Sequence, residues 1–119
     1  MGDYSDKRIL VMGGASGIGR ATVERFLGLG AKIAVFDINK ELLQAIEAKF
    51  SKKILPLYGD VRNKSDIDLA VELMVKTFGG IDVFVYSVGI FPNRLIVDMS
   101  ENEWDTVMDI NVKGAFLSC

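Results

Sequence analysis

Ile9-Leu10-Val11-Met12-Gly13-Gly14-Ala15-Ser16-Gly17-Ile18-Gly19 starts as an unbroken apolar run and ends as a glycine-rich turn. Arg20 to Leu29 then carries Val23, Phe26 and Leu27 at helical spacing, and Gly28 and Gly30 close it. A strand, a glycine turn and a helix in that order suit phosphate binding. Gly13 lets the chain turn sharply, Gly17 lets backbone approach a pyrophosphate, and Gly19 lets helix and sheet pack closely. The helix then directs its first N–H groups and its positive dipole end at the phosphates. Ser16 and Ile18, in the same turn, are expected to line the same cleft. Glycines also serve turns that hold no ligand, so a second signal is needed.

Asp37 supplies it. Lys32 to Phe36 reads as a second strand, and Asp37 ends it at roughly the 20-residue spacing of a ribose-binding acid. A carboxylate there accepts hydrogen bonds from both hydroxyls of an adenosine ribose. It repels a 2′-phosphate, so it favours NAD over NADP. Ile38, next to it, is expected in the same cleft. The alternative for Asp37 is bonding to backbone beside the following helix.

Outward from these two signals, apolar runs keep alternating with amphipathic stretches, the pattern of βα units. Asn39 caps a helix predicted over Lys40 to Phe50. Ile54 to Tyr58 is a third strand, and Pro56 inside it predicts a sheet edge, because proline donates no ladder hydrogen bond. Ser65-Asp66-Ile67-Asp68 resembles a capping box opening a third helix, with Ile67, Val71, Met74 and Phe78 on one face and Gly79-Gly80 ending it. Val83 to Tyr86 is a fourth strand. Ser100-Glu101-Asn102-Glu103 is a second capping box, opening a helix through Trp104, Val107 and Met108. The expected fold is α/β, a doubly wound parallel sheet covered on both faces, with all four strands buried from two sides. Phe26, Phe50 and Phe78 are expected in its core. The charged stretches 49–53 and 101–105 are read as solvated helix ends.

Composition narrows the function. The 119 residues hold 14 basic and 16 acidic side chains, a net charge of −2, so no basic excess serves a nucleic acid. The chain contains no histidine, which excludes a Ser-His-Asp triad and a His-based metal site within it. One cysteine, Cys119, allows no internal disulfide and no cysteine-cluster metal site, and fits a reducing compartment. No apolar run approaches the ~18 residues of a membrane span. Residues 1–8 are polar and lack a signal-peptide core. The expectations are a cytoplasmic protein with no metal, no nucleic acid and no membrane partner, and one nucleotide-binding domain over residues 1–119.

The glycine spacing, Gly-x-x-x-Gly-x-Gly, resembles that of the short-chain dehydrogenase/reductase family. The similarity runs along the whole chain. Gly59-Asp60-Val61 resembles the family's adenine-binding motif, which implies that the Asp60 carboxylate takes the adenine amino group beside Val61. Asp82 to Ile90 resembles its strand-four motif, so Ser87, Val88 and Gly89 are implied to line the cofactor cleft, Gly89 close to a ribose. Asn111-Val112-Lys113-Gly114 resembles its catalytic-asparagine motif. The resemblance implies a Rossmann sheet of strand order 3-2-1-4-5-6-7 and hydride transfer between a nicotinamide cofactor and an alcohol or carbonyl substrate. Asn111 would position a water in the proton relay. Its local alternative is bonding to backbone within a helix.

Three departures stand out. Met12 replaces a threonine and can only pack. Tyr86 replaces an asparagine that braces the central sheet, and it is bulkier with a single polar atom. The family's serine and Tyr-x-x-x-Lys pair are absent: four positions after Tyr4, Tyr58 and Tyr86 stand Arg8, Arg62 and Ile90. The resemblance thus covers a cofactor-binding half, truncated after about four strands and expected to be inactive alone. Two explanations compete: part of a full enzyme, or a non-catalytic nucleotide-binding or assembly module. Either way the fourth strand would end at an open edge through which the chain self-associates.

Overall fold

The computed structural model of the chain describes residues 3–51 and 53–119. Met1 and Gly2, in the polar N-terminal segment, and Lys52, in the basic stretch 49–53, lie outside the described residues. Four parallel strands, β1 (Arg8–Met12), β2 (Lys32–Asp37), β3 (Ile54–Tyr58) and β4 (Val83–Tyr86), form one sheet of order β3-β2-β1-β4. Helices α1 (Gly17–Gly28), α2 (Lys40–Lys49) and α3 (Lys64–Phe78) make the crossovers. After β4 come a 3₁₀ turn at Ile96–Asp98, α4 (Glu101–Met108), a π-helical turn at Asp109–Lys113 and α5 (Gly114–Ser118).

Alternation along β1 and β2 divides the core between the two faces. Ile9, Val11, Ile33 and Val35 pack against Val23 of α1 and against Leu43 and Ile46 of α2. Leu10, Met12, Ala34 and Phe36 face the other way, onto Ile67, Ala70 and Met74 of α3. Ile110 and Leu117 join this second face from the C-terminal segment. Met12, in the place of a threonine, is fully buried and only packs, as its chemistry requires. Phe26 and Phe50 lie against the first cluster and Phe78 against the second. The doubly wound arrangement is therefore present, and β3 with Pro56 is an edge strand.

Three local expectations are corrected. The helix read from Arg20 begins at Gly17, because Ser16 is extended (φ −151°, ψ 166°) and serves as its N-cap, so Gly17-Ile18-Gly19 forms the first helical turn. The third helix is capped by Asn63, whose side-chain oxygen accepts from the Ser65 N–H at 3.1 Å, so no box at Ser65 is needed. Burial from two sides holds for β1 and β2 only. Every residue of β4 is half-buried, and β3 is buried only at Ile54 and Leu57, because each of these strands has one neighbour.

At the N-terminal ends of the strands, Arg8 and Asp82 tie β1 to β4. Arg8 Nε and Nη2 donate to the two Asp82 oxygens at 2.9 Å each, and the Arg8 backbone N–H donates to Oδ2 at 2.8 Å. The guanidinium and the N–H hold the Asp82 carboxyl well below the usual carboxylate range. Beyond β4 the surface is apolar and open: Phe91 is 92% exposed and Val97 84%.

Candidate cofactor-binding cleft

β1 lies between β2 and β4, so the chain leaves it in opposite directions, and a crevice opens above the C-terminal strand ends at this switch point. It forms a cleft of about 220 Å³. Each strand end contributes to the wall. The turn after β1 supplies Gly13 and Ser16, the end of β2 supplies Asp37 and Ile38, and the end of β3 supplies Asp60 and Val61. Ser87, Val88 and Gly89 come from the end of β4. The structure thus brings together nine of the residues singled out in the sequence.

The glycine turn is built by close approach. Gly13 has φ +76°, and a side chain there would put Cβ 2.8 Å from the Ser87 carbonyl oxygen. At Gly19 a Cβ would fall 2.0 Å from the Gly13 carbonyl oxygen, so α1 starts directly against the turn. Gly17 differs: its φ is +56°, and a Cβ would meet nothing within 4 Å. This open side exposes the start of α1. The Ser16 side chain makes no capping bond, and no acidic residue sits in the first turn. The first N–H groups of α1 therefore keep free donor capacity and an uncompensated dipole end, which fits an anionic pyrophosphate. Ile18 itself is 82% exposed on this turn, and neither it nor Gly17 or Gly19 lines the cleft wall.

Asp37 already has partners. Its Oδ2 accepts from the Ala15 N–H at 3.1 Å and its Oδ1 from the Asn39 N–H at 3.0 Å. The carboxylate thereby fastens the glycine turn to the end of β2, the backbone role given above as its alternative. Each oxygen retains acceptor capacity toward the cleft. Asp60 is held by Arg62, whose Nη2 donates at 2.6 Å and whose Nε reaches both oxygens at 3.0 and 3.1 Å. The Arg62 guanidinium keeps the Asp60 carboxyl below the usual range despite partial burial. Val61 is 6% exposed and packs in the second core cluster as well as lining the cleft.

The opposite wall is organised by the π-helical turn. The Asn111 side chain does not bond within its own helix. Its Oδ1 accepts from the Ile90 N–H at 2.9 Å, and its Nδ2 donates to the Ile90 carbonyl at 2.8 Å. It clamps the chain leaving β4. Tyr86 donates its phenol proton to the Ile110 carbonyl, one residue before Asn111. Burial, and then the nearby Asp60 carboxylate, push the Tyr86 phenol up to about 12.

Sequence reasoning missed Arg62, Ile90 and Ile110, all of which line the cleft. Arg62 had a legible signal, an opposite charge two residues from Asp60. Ile90 stood only as the end of the strand-four motif and Ile110 had no signal, because both read as ordinary apolar residues until the Asn111 clamp draws their segments together.

A family model described as short chain dehydrogenase matches residues 7–119. The chain is 40% identical over 111 residues to the cis-2,3-dihydrobiphenyl-2,3-diol dehydrogenase of Paraburkholderia xenovorans (strain LB400), covering 89% of this chain and 40% of that protein. It is 37% identical over 109 residues to the 3beta-hydroxysteroid dehydrogenase 2 of Eggerthella lenta, covering 88% and 42%. A crystal structure of a short-chain dehydrogenase/reductase (glucose/ribitol dehydrogenase) from Brucella melitensis superposes with a TM-score of 0.94 at 31% identity, covering 98% of this chain and 51% of that one. The chain spans less than half the length of the two curated relatives. These relatives are oxidoreductases, and the family binds nicotinamide cofactors. The match across residues 7–119, together with the sheet order and the cleft, means that the chain belongs to the short-chain dehydrogenase/reductase family.

Proposed function

We propose that residues 1–119 form the cofactor-binding half of an NAD-preferring oxidoreductase that moves a hydride between a nicotinamide cofactor and an alcohol or carbonyl. One observation carries the reading: Ser16, the extended residue that leads into α1 without a side-chain capping bond, and the Asp37 carboxylate line one cleft at the sheet's switch point. The first N–H groups of α1 would bind the pyrophosphate, and Gly17 leaves room for it. Asp37 would accept from the ribose hydroxyls while its negative charge disfavours a 2′-phosphate. Asp60 and Val61 would hold the adenine, and Ser87, Val88 and Gly89 would lie along the second ribose. The bound nicotinamide supplies the hydride chemistry. Asn111 would place a water for the proton relay.

This chain has no Tyr-x-x-x-Lys, and the Tyr86 hydroxyl is engaged with Ile110, so the 119 residues are proposed to be inactive alone. The second reading is a non-catalytic nucleotide-binding or assembly module. In either case the one-sided pairing of β4 and the apolar surface beyond it support self-association of the chain. Among the described residues no helix is long and apolar enough to cross a membrane. The cytoplasm is proposed as the compartment on the low cysteine content, which suits a reducing environment.

Calorimetric titration with NAD and NADP, alongside sedimentation, tests the reading. Saturable binding that prefers NAD is expected, with the preference lost in Asp37→Ala and reduced in Asp37→Asn, which retains an acceptor for the glycine turn. Equal affinity for both cofactors in the unmodified chain refutes the role of Asp37. A monodisperse, cooperatively folding monomer refutes self-association. NAD binding by the longer protein without turnover favours the second reading.

A further inference from the structure

The π-helical turn has a specific hydrogen-bond pattern. The Gly114 N–H reaches back to the Asp109 carbonyl, one residue further than an α-helix requires. In α-helical register that N–H would go to Ile110. The Ile110 carbonyl accepts instead the Tyr86 phenol. Gly114 is buried, and a Cβ there would fall 2.3 Å from the Tyr86 hydroxyl oxygen, so the phenol lies flush against the turn where only a hydrogen fits. One residue past Ile110, Asn111 makes its paired bonds to Ile90. A one-residue change of register would rotate Asn111 by roughly 100° about the helix axis and break that clamp.

We propose that Tyr86 is a positioning residue that holds the turn in π register by occupying the Ile110 carbonyl, and so fixes Asn111 on Ile90 and sets the β4 wall of the cleft. The proposed register control stands on the unliganded geometry; its consequence for the cofactor rests on the function proposed above. Tyr86 thus supplies a brace different from the asparagine's, directed to the helix following β4. A phenol suits this role because it remains a protonated donor across the physiological range, burial disfavouring its anion. Packing alone would not require the hydroxyl, since phenylalanine fills nearly the same volume.

Tyr86→Phe separates these roles. Amide hydrogen exchange would be followed by NMR on the chain without cofactor. With the core amides of Val11 and Val35 protected as in the unmodified chain, the Ile90 amide is expected to exchange roughly five- to tenfold faster, the factor for losing a net hydrogen bond. The Asn111 side-chain amide protons should lose protection with it. Unchanged protection of Ile90 and Asn111 in a folded Tyr86→Phe protein overturns the proposal. Gly114→Ala displaces the phenol without removing it and should give the same signature at Ile90. If Tyr86→Phe does not fold, unchanged Ile90 protection in Gly114→Ala overturns the proposal instead. In the double variant the hydroxyl overlap is gone, and of the three nearest contacts the two to Val61, at 3.0 and 3.2 Å, remain. Alanine at 114 should therefore be tolerated better there than beside Tyr86, and equal effects in both backgrounds count against the coupling. NAD titration completes the set, with weaker binding expected in Tyr86→Phe. An unmodified chain that binds no NAD refutes the cofactor reading, while the exchange data still judge Tyr86.

Discussion

Replacing Gly13 by alanine separates what the glycine turn does for the fold from what it does for a ligand. Gly13 has φ +76°, and holding alanine in the left-handed region costs about 1–2 kcal/mol. The new Cβ would lie 2.8 Å from the Ser87 carbonyl oxygen, 2.9 Å from its carbon and 3.0 Å from Val88 Cγ2. Two of these three atoms are backbone, and that backbone is pinned, because the Ser87 N–H donates to the Met12 carbonyl at 2.9 Å. Relief therefore means pushing the end of β4 away from β1, an overpacking cost of about 1–3 kcal/mol. Together the two effects predict a loss of about 2–5 kcal/mol, a large share of the marginal stability of a domain this size. Urea unfolding followed by circular dichroism measures it, and at typical slopes the midpoint falls by at least about 0.7 M. A loss under about 0.5 kcal/mol would mean that β4 docks loosely on the glycine turn, and the account of the cleft's two walls would fail.

Two further outcomes follow from the same geometry. At Gly89 the nearest contact of a Cβ is Asn111 Oδ1 at 3.5 Å, ordinary van der Waals distance, so Gly89→Ala should leave the unfolding midpoint nearly unchanged while weakening NAD binding at least about tenfold; a destabilised protein with intact affinity refutes this. The Asp82 carboxyl titrates below its ordinary value of 3.8 because Arg8 holds the ionised form, so its contribution is complete above that value and is lost as pH falls through the folded-state pKa. Asp82→Asn should therefore be less stable than the unmodified chain at neutral pH, with the gap closing below about pH 4, and a gap that stays constant in acid contradicts the assignment.

Much of this architecture can be read from side-chain pattern alone, for identifiable reasons. The middle of β1 and of β2 is buried on both faces, so Ile9 to Met12 and Ile33 to Phe36 must be apolar, and an unbroken run such as Ile33-Ala34-Val35-Phe36 has one reading. The Asn39 cap and the capping box at Ser100 are local chemistry and form as their residues dictate. The third helix shows the limit of that logic: Asn63 and Ser65 are both competent caps, and the choice depends on where the chain leaves β3. The cleft wall from the strand ends was legible because each strand ends in a distinctive pair of residues. The other wall was not. Asn111 carries a recognisable motif, but its bond to Ile90 joins segments separated by a whole helix, and Tyr86 looked like a defect until Ile110 supplied its acceptor. Register within a helix leaves no mark on apolar spacing over a single turn.

The sheet order also governs how the chain folds. β1, β2 and β3 pair with neighbours one crossover away, whereas β4 returns across two intervening strands to reach β1, with Arg8 and Asp82 74 residues apart in sequence. Closing so long a loop gains few contacts until it is nearly complete, so β4 is expected to dock late. Gly13 and Asp37 are then in place before Ser87 and Gly89 arrive. A partly folded chain owns half a cleft, and a ligand that spans both halves recognises only chains in which β4 has docked. By mass action such a ligand draws the population toward completion, so the last strand to join is the one that a bound dinucleotide would stabilise most.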